Sequence, residues 1–214
     1  MEPTARADLS RTWAVVPIRG LESAKTRLGA DLDPEERREL VAELLRRTLV
    51  ATRDARRIEG TVVVTMDPAA AGLARSHRAI GLVEQAPGLN EAIEAARSLA
   101  VARGATAVLV LPADLPAAAP EHVDALLEAA PGFDAPAGLV ALVTDRHGLG
   151  TNVLLLSPSE VIRPAFGEAS RREHERRAHA AGARYAELES PLSLDVDTAA
   201  DLVAAEAALG VLHG

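Results

Sequence analysis

Asp114, Asp195 and Asp197 carry the side chains of this sequence that are best placed to do chemistry. Asp195 and Asp197 are two residues apart, and residues at that spacing in an extended segment project to the same side. Two carboxylates on one face with no cation beside them in sequence repel each other, and a bound metal ion is the usual remedy. With Asp114 they would form a set of hard oxygen ligands, which predicts Mg²⁺.

Asp114 follows a short apolar run, Ala107–Leu111, that predicts a buried strand of a parallel sheet. Ligands of open α/β sheets bind just beyond the carboxyl ends of strands, so Asp114 is presented where a substrate would lie. An alternative is that Asp114 only shapes the turn after the strand. Similarly, Asp197 or Thr198 could simply cap the last helix, although that leaves Asp195 without a role.

A loop that contains Lys25 and Arg27 follows the first predicted strand, Trp13–Ile18. Lys25 is the only lysine in a chain that otherwise uses arginine for its permanent cations. A lysine at this one position indicates that a compact point charge is needed there, as on a phosphate group. We therefore predict that Lys25 and Arg27 contact the phosphates of a nucleotide. The spacing matches neither a Walker loop nor a Gly-x-Gly-x-x-Gly fingerprint, and a solvated loop is the alternative.

Asn90 lies where a third predicted strand, Ile80–Glu84, leads into a helix. It could contact a nucleotide there, but asparagine is also a good helix N-cap, and both interpretations stay open. The histidines do not form a zinc pattern, because His174 and His179 are not at same-face helical spacing. The basic run 171–177 predicts a solvated helix face.

These residues are connected by strands and helices that alternate along the first 130 residues. Alternation of this kind predicts a parallel sheet with right-handed crossovers, and therefore an α/β fold. After Phe133 the alternation stops, and 139–144 and 151–156 predict two strands joined by a glycine-rich turn. A helix opening near Ser170, a late strand at 184–188 and a last helix at 199–209 follow. We expect residues 1–12 to be poorly ordered and 13–214 to form a single domain.

Composition excludes several classes of protein. A net charge of −8 argues against a general nucleic-acid or membrane surface, and an aromatic content of 2% leaves no stacking platforms for single-stranded nucleic acid. The chain has no cysteine, which excludes disulfides and thiolate metal sites. No window is apolar enough to span a membrane, and the first 12 residues do not form a signal peptide, so we expect a soluble cytoplasmic protein.

Six segments, in this order and spacing, resemble the 2-phospho-L-lactate / phosphoenolpyruvate guanylyltransferases of coenzyme F-420 biosynthesis. The resemblance extends from about Trp13 to Leu209 and is carried by Pro17–Ile18, Ala24–Leu28, Leu111–Pro116, Asp145–Asn152, Phe166–Ser170 and Leu194–Leu202. It implies a three-layer α/β/α Rossmann-like sandwich of the nucleotide-diphospho-sugar-transferase type, with a mostly parallel sheet. One departure from the wider superfamily is that its glycine-rich first loop is reduced here to Pro-Ile-Arg-Gly-Leu.

The same resemblance implies a Mg²⁺-dependent enzyme that joins GTP to a three-carbon phosphorylated acid and releases pyrophosphate. Asp114, Asp195 and Asp197 match the metal ligands of the family, and Lys25 falls in its phosphate-binding loop. Three further residues match its contacts to phosphoenolpyruvate: Thr151, Gly167 and Ser170. For Ser170, an N-cap is the alternative. The product would pass to the next transferase of the pathway.

Two other functions stay open at this point. One is nucleotidyl transfer to a different acceptor, such as a molybdopterin or a sugar phosphate, which would need an open cleft near 148–170. The other is a non-catalytic nucleotide-binding module, in which GTP binding would not depend on the three aspartates. The sequence does not separate phosphoenolpyruvate from 2-phospho-L-lactate or 3-phosphoglycerate, which differ only in small groups.

Overall fold

The computed structural model describes residues 6–21, 32–85, 88–130, 135–196 and 201. Within those ranges, seven strands form one sheet: β1 Thr12–Pro17, β2 Ile58–Thr65, β3 Ile80–Val83, β4 Ala107–Val110, β5 Leu139–Thr144, β6 Thr151–Ser157 and β7 Arg184–Glu187. The α-helices are α1 Pro34–Asp54, α2 Pro68–Ser76, α3 Leu89–Ala102, α4 Pro120–Ala129 and α5 Ser170–Ala180. Apart from residue 201, the predicted last helix lies outside the described residues.

The strand order is β3-β2-β1-β4-β6-β5-β7, and the sheet is mostly parallel. Parallel pairs join β1 to β2, β1 to β4, β2 to β3 and β5 to β7. The exception is β6, which runs antiparallel to both of its neighbours, β4 and β5. The predicted α/β class and the hairpin across 145–150 are therefore confirmed.

Helix α1 shows how directly the local sequence sets its elements. Asp33 caps the helix, its side chain accepting hydrogen bonds from the backbone N–H groups of Glu35 and Glu36 at 2.9 Å. The Glu36 side chain accepts from the Asp33 N–H in return, which completes a capping box. Pro34 occupies the first turn, where its missing N–H costs nothing. Most of the predicted apolar stripe of the helix is buried.

Helices cover both faces of the sheet, as the alternation of side chains along the strands requires. On β1, Val15 packs in a cluster with α3 and α5, whereas Val16 packs on the other face with α1 and α2. Helix α4 covers the same face as α1 and packs over β4, β5 and β6. The core consists almost entirely of alanine, valine and leucine.

This topology brings the predicted site residues to one edge of the sheet. The parallel strands β1 to β4 all end there, and β6 begins there because it runs in the opposite direction. The carboxyl ends of β5 and β7 reach the same edge. Asp114 and Thr151 consequently lie at the ends of two neighbouring strands, β4 and β6, and the segment that leads to Asp195 leaves β7 at the same edge.

The N-terminal segment differs in part from its prediction. Residues 6–11 were expected to be poorly ordered, but Leu9 is buried and the Asp8 carbonyl accepts hydrogen bonds from Thr106 and Ser157 side chains at 3.2 and 3.0 Å. Arg11 forms an ion pair with Glu59 at 2.7 Å. The segment thus packs against the edge of the sheet opposite Asp114. In the described part of the chain, no helix is both long and apolar enough to cross a membrane.

Gly81 allows α2 to approach β3 closely, and replacing it should destabilise the protein. A Cβ atom at Gly81 would lie 2.3 Å from the carbonyl oxygen of Ala71. We expect Gly81→Ala to lower the free energy of unfolding by about 1–3 kcal/mol in urea denaturation, because backbone has to shift. Gly72→Ala is the matched control: its Cβ would meet only the end of the Arg75 side chain at 3.9 Å, and alanine favours a helix. Equal stabilities of the two variants would contradict this account.

Candidate active site

The structure sets the Asp114 and Asp195 segments side by side. The backbone N–H of Val196 donates a hydrogen bond to the carbonyl oxygen of Asp114 at 3.1 Å, and Val196 is fully buried. Both aspartates are partly exposed at the sheet edge. The third predicted ligand, Asp197, lies outside the described residues.

The Asp195 segment is held from below by a buried asparagine. Asn152, near the start of β6, donates from Nδ2 to the carbonyl oxygen of Leu192 at 3.1 Å. Leu192 lies in a short 3-10 helix, Pro191–Ser193, which Ser190 caps. Asn152 was not singled out as a site residue by the sequence, although it directly follows Thr151.

The pair of carboxylates fits part of a magnesium site. Mg²⁺ is bound in proteins through one or two carboxylates, with water and substrate phosphates completing its shell. Among the residues that the structure describes, no group of three or more Asp, Glu, His or Cys side chains is placed to hold a metal. Asp114 and Asp195 would supply two oxygen donors of the predicted set, and completing that set would require Asp197.

A cavity of about 730 Å³ opens at the carboxyl ends of β1, β2 and β3. Its wall contains Arg19, Arg38, Met66, Glu84 and Leu89, together with backbone of the strand ends and of the start of α3. Met66 and Leu89 are exposed to 61% and 46%, so the cavity offers apolar surface to a ligand. Its size, with few polar groups on an apolar lining, is typical of a small-molecule site at a strand edge.

The predicted phosphate loop begins between this cavity and the aspartates. β1 pairs with β2 on one side and β4 on the other, and the chain leaves β1 towards Lys25 and Arg27. Both cations lie outside the described residues. The start of the loop is anchored, because the Asp67 carboxylate accepts a hydrogen bond from the Leu21 N–H at 2.9 Å while capping α2 through Ala69.

Thr151 is connected through His174 to α5, which begins at Ser170 and follows Gly167. The Thr151 hydroxyl lies 3.0 Å from Nδ1 of His174, which follows Ser170 by one helical turn on the same face of α5. The Ser170 N–H donates to the Gly167 carbonyl oxygen at 3.2 Å. Gly167 has φ +133°, a backbone conformation that residues with a side chain rarely adopt. The N-cap interpretation of Ser170 is wrong: Ala169 is the cap, and Ser170 is the first helical residue.

Three side chains hold the backbone of the loop that precedes Gly167. Arg177 donates to the carbonyl oxygens of Arg163 and Pro164 at 2.9 and 3.1 Å. His174 Nε2 accepts from the N–H of the next residue, Ala165, at 2.9 Å. Asn90 binds both backbone groups of the residue after that, Phe166: its amide donates at 2.9 Å and its oxygen accepts at 2.7 Å. We call residues 163–166 the acid-side loop.

One of the two roles predicted for Asn90, the helix N-cap, is wrong. The N-cap of α3 is Gly88, and Asn90 lies within the first turn with its side chain directed to Phe166. Capping fails because the helix starts earlier than the asparagine suggests. Its contact with a nucleotide remains a prediction, and the neighbouring Leu89 and Ala92 do line the cavity. Asn90 thus joins the cavity-lining end of α3 to the acid-side loop.

The glycine-rich turn between β5 and β6 is closed by Asp145. Its carboxylate accepts hydrogen bonds from the N–H groups of His147, Leu149 and Gly150 at 2.9–3.1 Å. Arg146 in the same turn forms an ion pair with the buried Asp201. The turn is thereby fixed beside the beginning of α5, where the Arg171 N–H donates to the Leu149 carbonyl oxygen at 3.3 Å.

The basic run on α5 is largely neutralised by neighbouring carboxylates. Arg171 pairs with Glu187 at 2.7 Å, and Arg176 and Arg177 pair with Glu173 at 2.6 and 2.7 Å. Hydrogen bonds from both arginines lower the pKa of Glu173 to about 2. The predicted solvated face describes Arg176 but not Arg177, because Arg177 also binds the acid-side loop.

His174 should make the stability of the protein depend on pH. Burial lowers the pKa of His174 from 6.5 to about 4; Arg177 adds to this effect and Glu173 opposes it. The unfolded chain therefore binds a proton here at a higher pH than the folded one, and stability is lost as the pH falls from about 6.5 to 4. When the pH is lowered from about 7.5 to about 5, the free energy of unfolding measured in urea should fall by about 2 kcal/mol more for the wild type than for His174→Asn. Parallel losses in the two proteins would contradict the prediction.

Comparison with known proteins shows which family the chain belongs to. Residues 12–213 match the family model described as "Guanylyl transferase CofC like". The chain is 41% identical over 192 residues to the phosphoenolpyruvate guanylyltransferase of Sphaerobacter thermophilus, covering 89% of this chain and 90% of that protein. It is 42% identical over 202 residues to the enzyme of the same name from Rubrobacter xylanophilus, covering 94% and 96%.

Solved structures show the same fold at low identity. A putative nucleotide-diphospho-sugar transferase from Desulfovibrio desulfuricans G20 matches with a TM-score of 0.68 and 17% identity, covering 90% of this chain and 85% of that one. A 4-diphosphocytidyl-2C-methyl-D-erythritol synthase matches with a TM-score of 0.62 and 15% identity, covering 92% and 97%. The fold is thus the predicted nucleotide-diphospho-sugar-transferase type. The match over residues 12–213, together with relatives of about 40% identity, establishes that this chain belongs to the CofC-like guanylyl transferase family.

Proposed function

We propose that this protein joins the guanylyl group of GTP to phosphoenolpyruvate and releases pyrophosphate. The observation that carries the proposal is the hydrogen bond from Val196 to Asp114, which joins the Asp114 and Asp195 segments at the end of the sheet where the cavity also opens. Carboxylates at the sheet edge that also bears a ligand-sized cavity suit a reaction that brings two phosphates together, because they can hold a metal ion. The name shared by the relatives supports phosphoenolpyruvate as the acid.

The reaction must overcome repulsion between two anions. A phosphate oxygen of the acid attacks the α-phosphorus of GTP in line, a new P–O bond forms, and the bond to the β-phosphate oxygen breaks so that pyrophosphate leaves. The attacking oxygen is already ionised, so no protein nucleophile or strong base is required. Positioning and electrostatic stabilisation then account for the rate.

The residues of the chain divide this work. Asp114, Asp195 and Asp197 would hold Mg²⁺, which when bound neutralises and aligns the phosphates. Lys25 and Arg27 would contact the triphosphate from the first loop. Thr151 and Ser170, with the backbone at Gly167, would hold the carboxylate or phosphate of the acid by hydrogen bonds. The cavity at the ends of β1, β2 and β3, which Glu84 helps to line, would take the base and ribose.

The experiment that tests the proposal is a pyrophosphate-release assay with GTP and Mg²⁺. Phosphoenolpyruvate, 2-phospho-L-lactate and 3-phosphoglycerate are offered separately, each with and without the next transferase of coenzyme F-420 biosynthesis as a trap for a labile product. We expect release with phosphoenolpyruvate. Release with only one of the other two acids would identify that acid as the substrate instead. No release with any acid, while GTP still binds, would leave transfer to another acceptor or a nucleotide-binding module as the better account.

A further inference from the structure

His174 connects the two parts of the region that would hold the acid. Its side chain is completely buried, and its two ring nitrogens have different partners. Nδ1 lies 3.0 Å from the Thr151 hydroxyl, and Nε2 lies 2.9 Å from the backbone nitrogen of Ala165 in the acid-side loop. The Phe166 ring packs edge-on against the imidazole, with centroids 5.4 Å apart. A histidine fixed on three sides has one orientation available.

The partner of Nε2 determines the tautomer of the ring. A backbone N–H can only donate, so Nε2 must present its lone pair to Ala165. In the neutral imidazole the proton is then on Nδ1, which donates to the Thr151 oxygen. Because Thr151 accepts this hydrogen bond, its own hydroxyl hydrogen is available to donate elsewhere.

We propose that His174 is a positioning residue for the acid substrate: it makes the Thr151 hydroxyl a donor to an anionic oxygen and fixes the acid-side loop that leads to Gly167. This inference rests on the function proposed above. A donor is what a carboxylate or phosphate oxygen needs, since ionised oxygens can only accept. His174 itself does not touch the substrate.

The loop contacts support the same role. Every residue from Arg163 to Phe166 has a backbone group bound by Arg177, His174 or Asn90. His174 is central among these three side chains, because it also binds Thr151 on β6. The backbone that approaches Gly167 and Ser170 is therefore set before any ligand arrives. Preorganisation of this kind raises affinity by reducing the ordering that binding requires.

Two substitutions separate the two hydrogen bonds of His174. In His174→Asn the amide nitrogen can replace Nδ1 and keep the donor to Thr151, while the contact with Ala165 is lost. In His174→Gln the longer side chain can bring an amide oxygen to Ala165, while the donor to Thr151 is lost. We expect His174→Gln to raise the KM for phosphoenolpyruvate about tenfold with little change in the KM for GTP. His174→Asn should keep more of the affinity for the acid.

A double-mutant cycle with Thr151→Val tests whether His174 acts through Thr151. If it does, Thr151→Val and Thr151→Val/His174→Gln should have the same KM for phosphoenolpyruvate, since the hydroxyl is already gone. Additive effects in the double variant would overturn the proposal. Equal increases in KM for GTP and for the acid would also overturn it, because they indicate a general loss of structure.

The tautomer can be measured without any activity. The nitrogen-15 shifts of the His174 ring in the wild-type protein should show a protonated Nδ1 and an unprotonated Nε2. A proton on Nε2 would overturn the proposal whatever the kinetics. Release of pyrophosphate by the wild-type protein with no acid present would overturn the proposed function and, with it, the substrate role of His174. The ring shifts would still show whether Thr151 accepts the hydrogen bond from His174.

Discussion

Replacing Asp114 with asparagine should lower the rate of pyrophosphate release from GTP and phosphoenolpyruvate by about two to three orders of magnitude. Asparagine has nearly the same size, and the backbone carbonyl that accepts from Val196 is unchanged. The substitution therefore removes one negative charge from the edge of the sheet and keeps the size of the side chain. If this carboxylate helps to hold a Mg²⁺ ion that would neutralise and align the phosphates, its loss acts on the chemical step.

Asp54→Asn is the matched control for this variant. Asp54 ends α1 at the opposite edge of the sheet and pairs with Arg53 at 2.7 Å. It should release pyrophosphate at the wild-type rate, because an exposed ion pair contributes little. Both variants should melt close to the wild type. An Asp114→Asn protein that keeps full activity would exclude Asp114 from the catalytic site.

The second large effect concerns the choice of base, and it depends on Glu84. Two carboxylates line the cavity among the described residues, Asp67 and Glu84. Asp67 already accepts hydrogen bonds from Leu21 and Ala69. The Glu84 N–H donates to the Thr65 carbonyl oxygen at 2.9 Å, which fixes the backbone there. Glu84 is therefore the better candidate to bind the nucleotide base. Guanine presents adjacent N1–H and 2-amino donors, which match the two oxygens of a carboxylate.

Glu84→Gln should therefore lower kcat/KM for GTP about a hundredfold. The loss for ITP should be smaller, because hypoxanthine lacks the 2-amino group, and the preference for GTP over ITP should shrink. Kinetics with both nucleotides at saturating phosphoenolpyruvate would measure this ratio. Glu121→Gln, an exposed carboxylate at the start of α4, serves as the control. An equal fall for GTP and ITP would remove Glu84 from base recognition.

The sequence predicts the first half of this fold well because its local signals agree with the tertiary structure. Asp33 and Pro34 mark the start of α1, and the apolar run at 107–111 marks β4 before Asp114. What local patterns do not contain is the pairing of the late strands. The hairpin of β5 and β6 follows from its turn, but the position of β6 beside β4 depends on side-chain packing over the whole sheet.

The candidate site shows the same division between local and distant information. The aspartates were predicted from local sequence, because Asp114 follows a buried strand and Asp195 and Asp197 are two residues apart. Asn90 was interpreted partly as a cap because capping is a local role, whereas its partner Phe166 is 76 residues away. His174 was missed for a related reason: it was considered only as a zinc ligand beside His179, whereas its partners are Thr151 and Ala165. Its spacing of four from Ser170 was the available signal.

The hydrogen bond between Val196 and Asp114 joins two segments that are synthesised at different times. One aspartate leaves the ribosome with the central strand, and the other follows only after β7 has been made. A chain that stops between β7 and Asp195 contains all seven strands and the residues that line the cavity, but only the Asp114 segment. Under the proposed mechanism, which requires both aspartates, such a fragment would not transfer the nucleotide, and turnover would begin only in chains synthesised beyond Asp195.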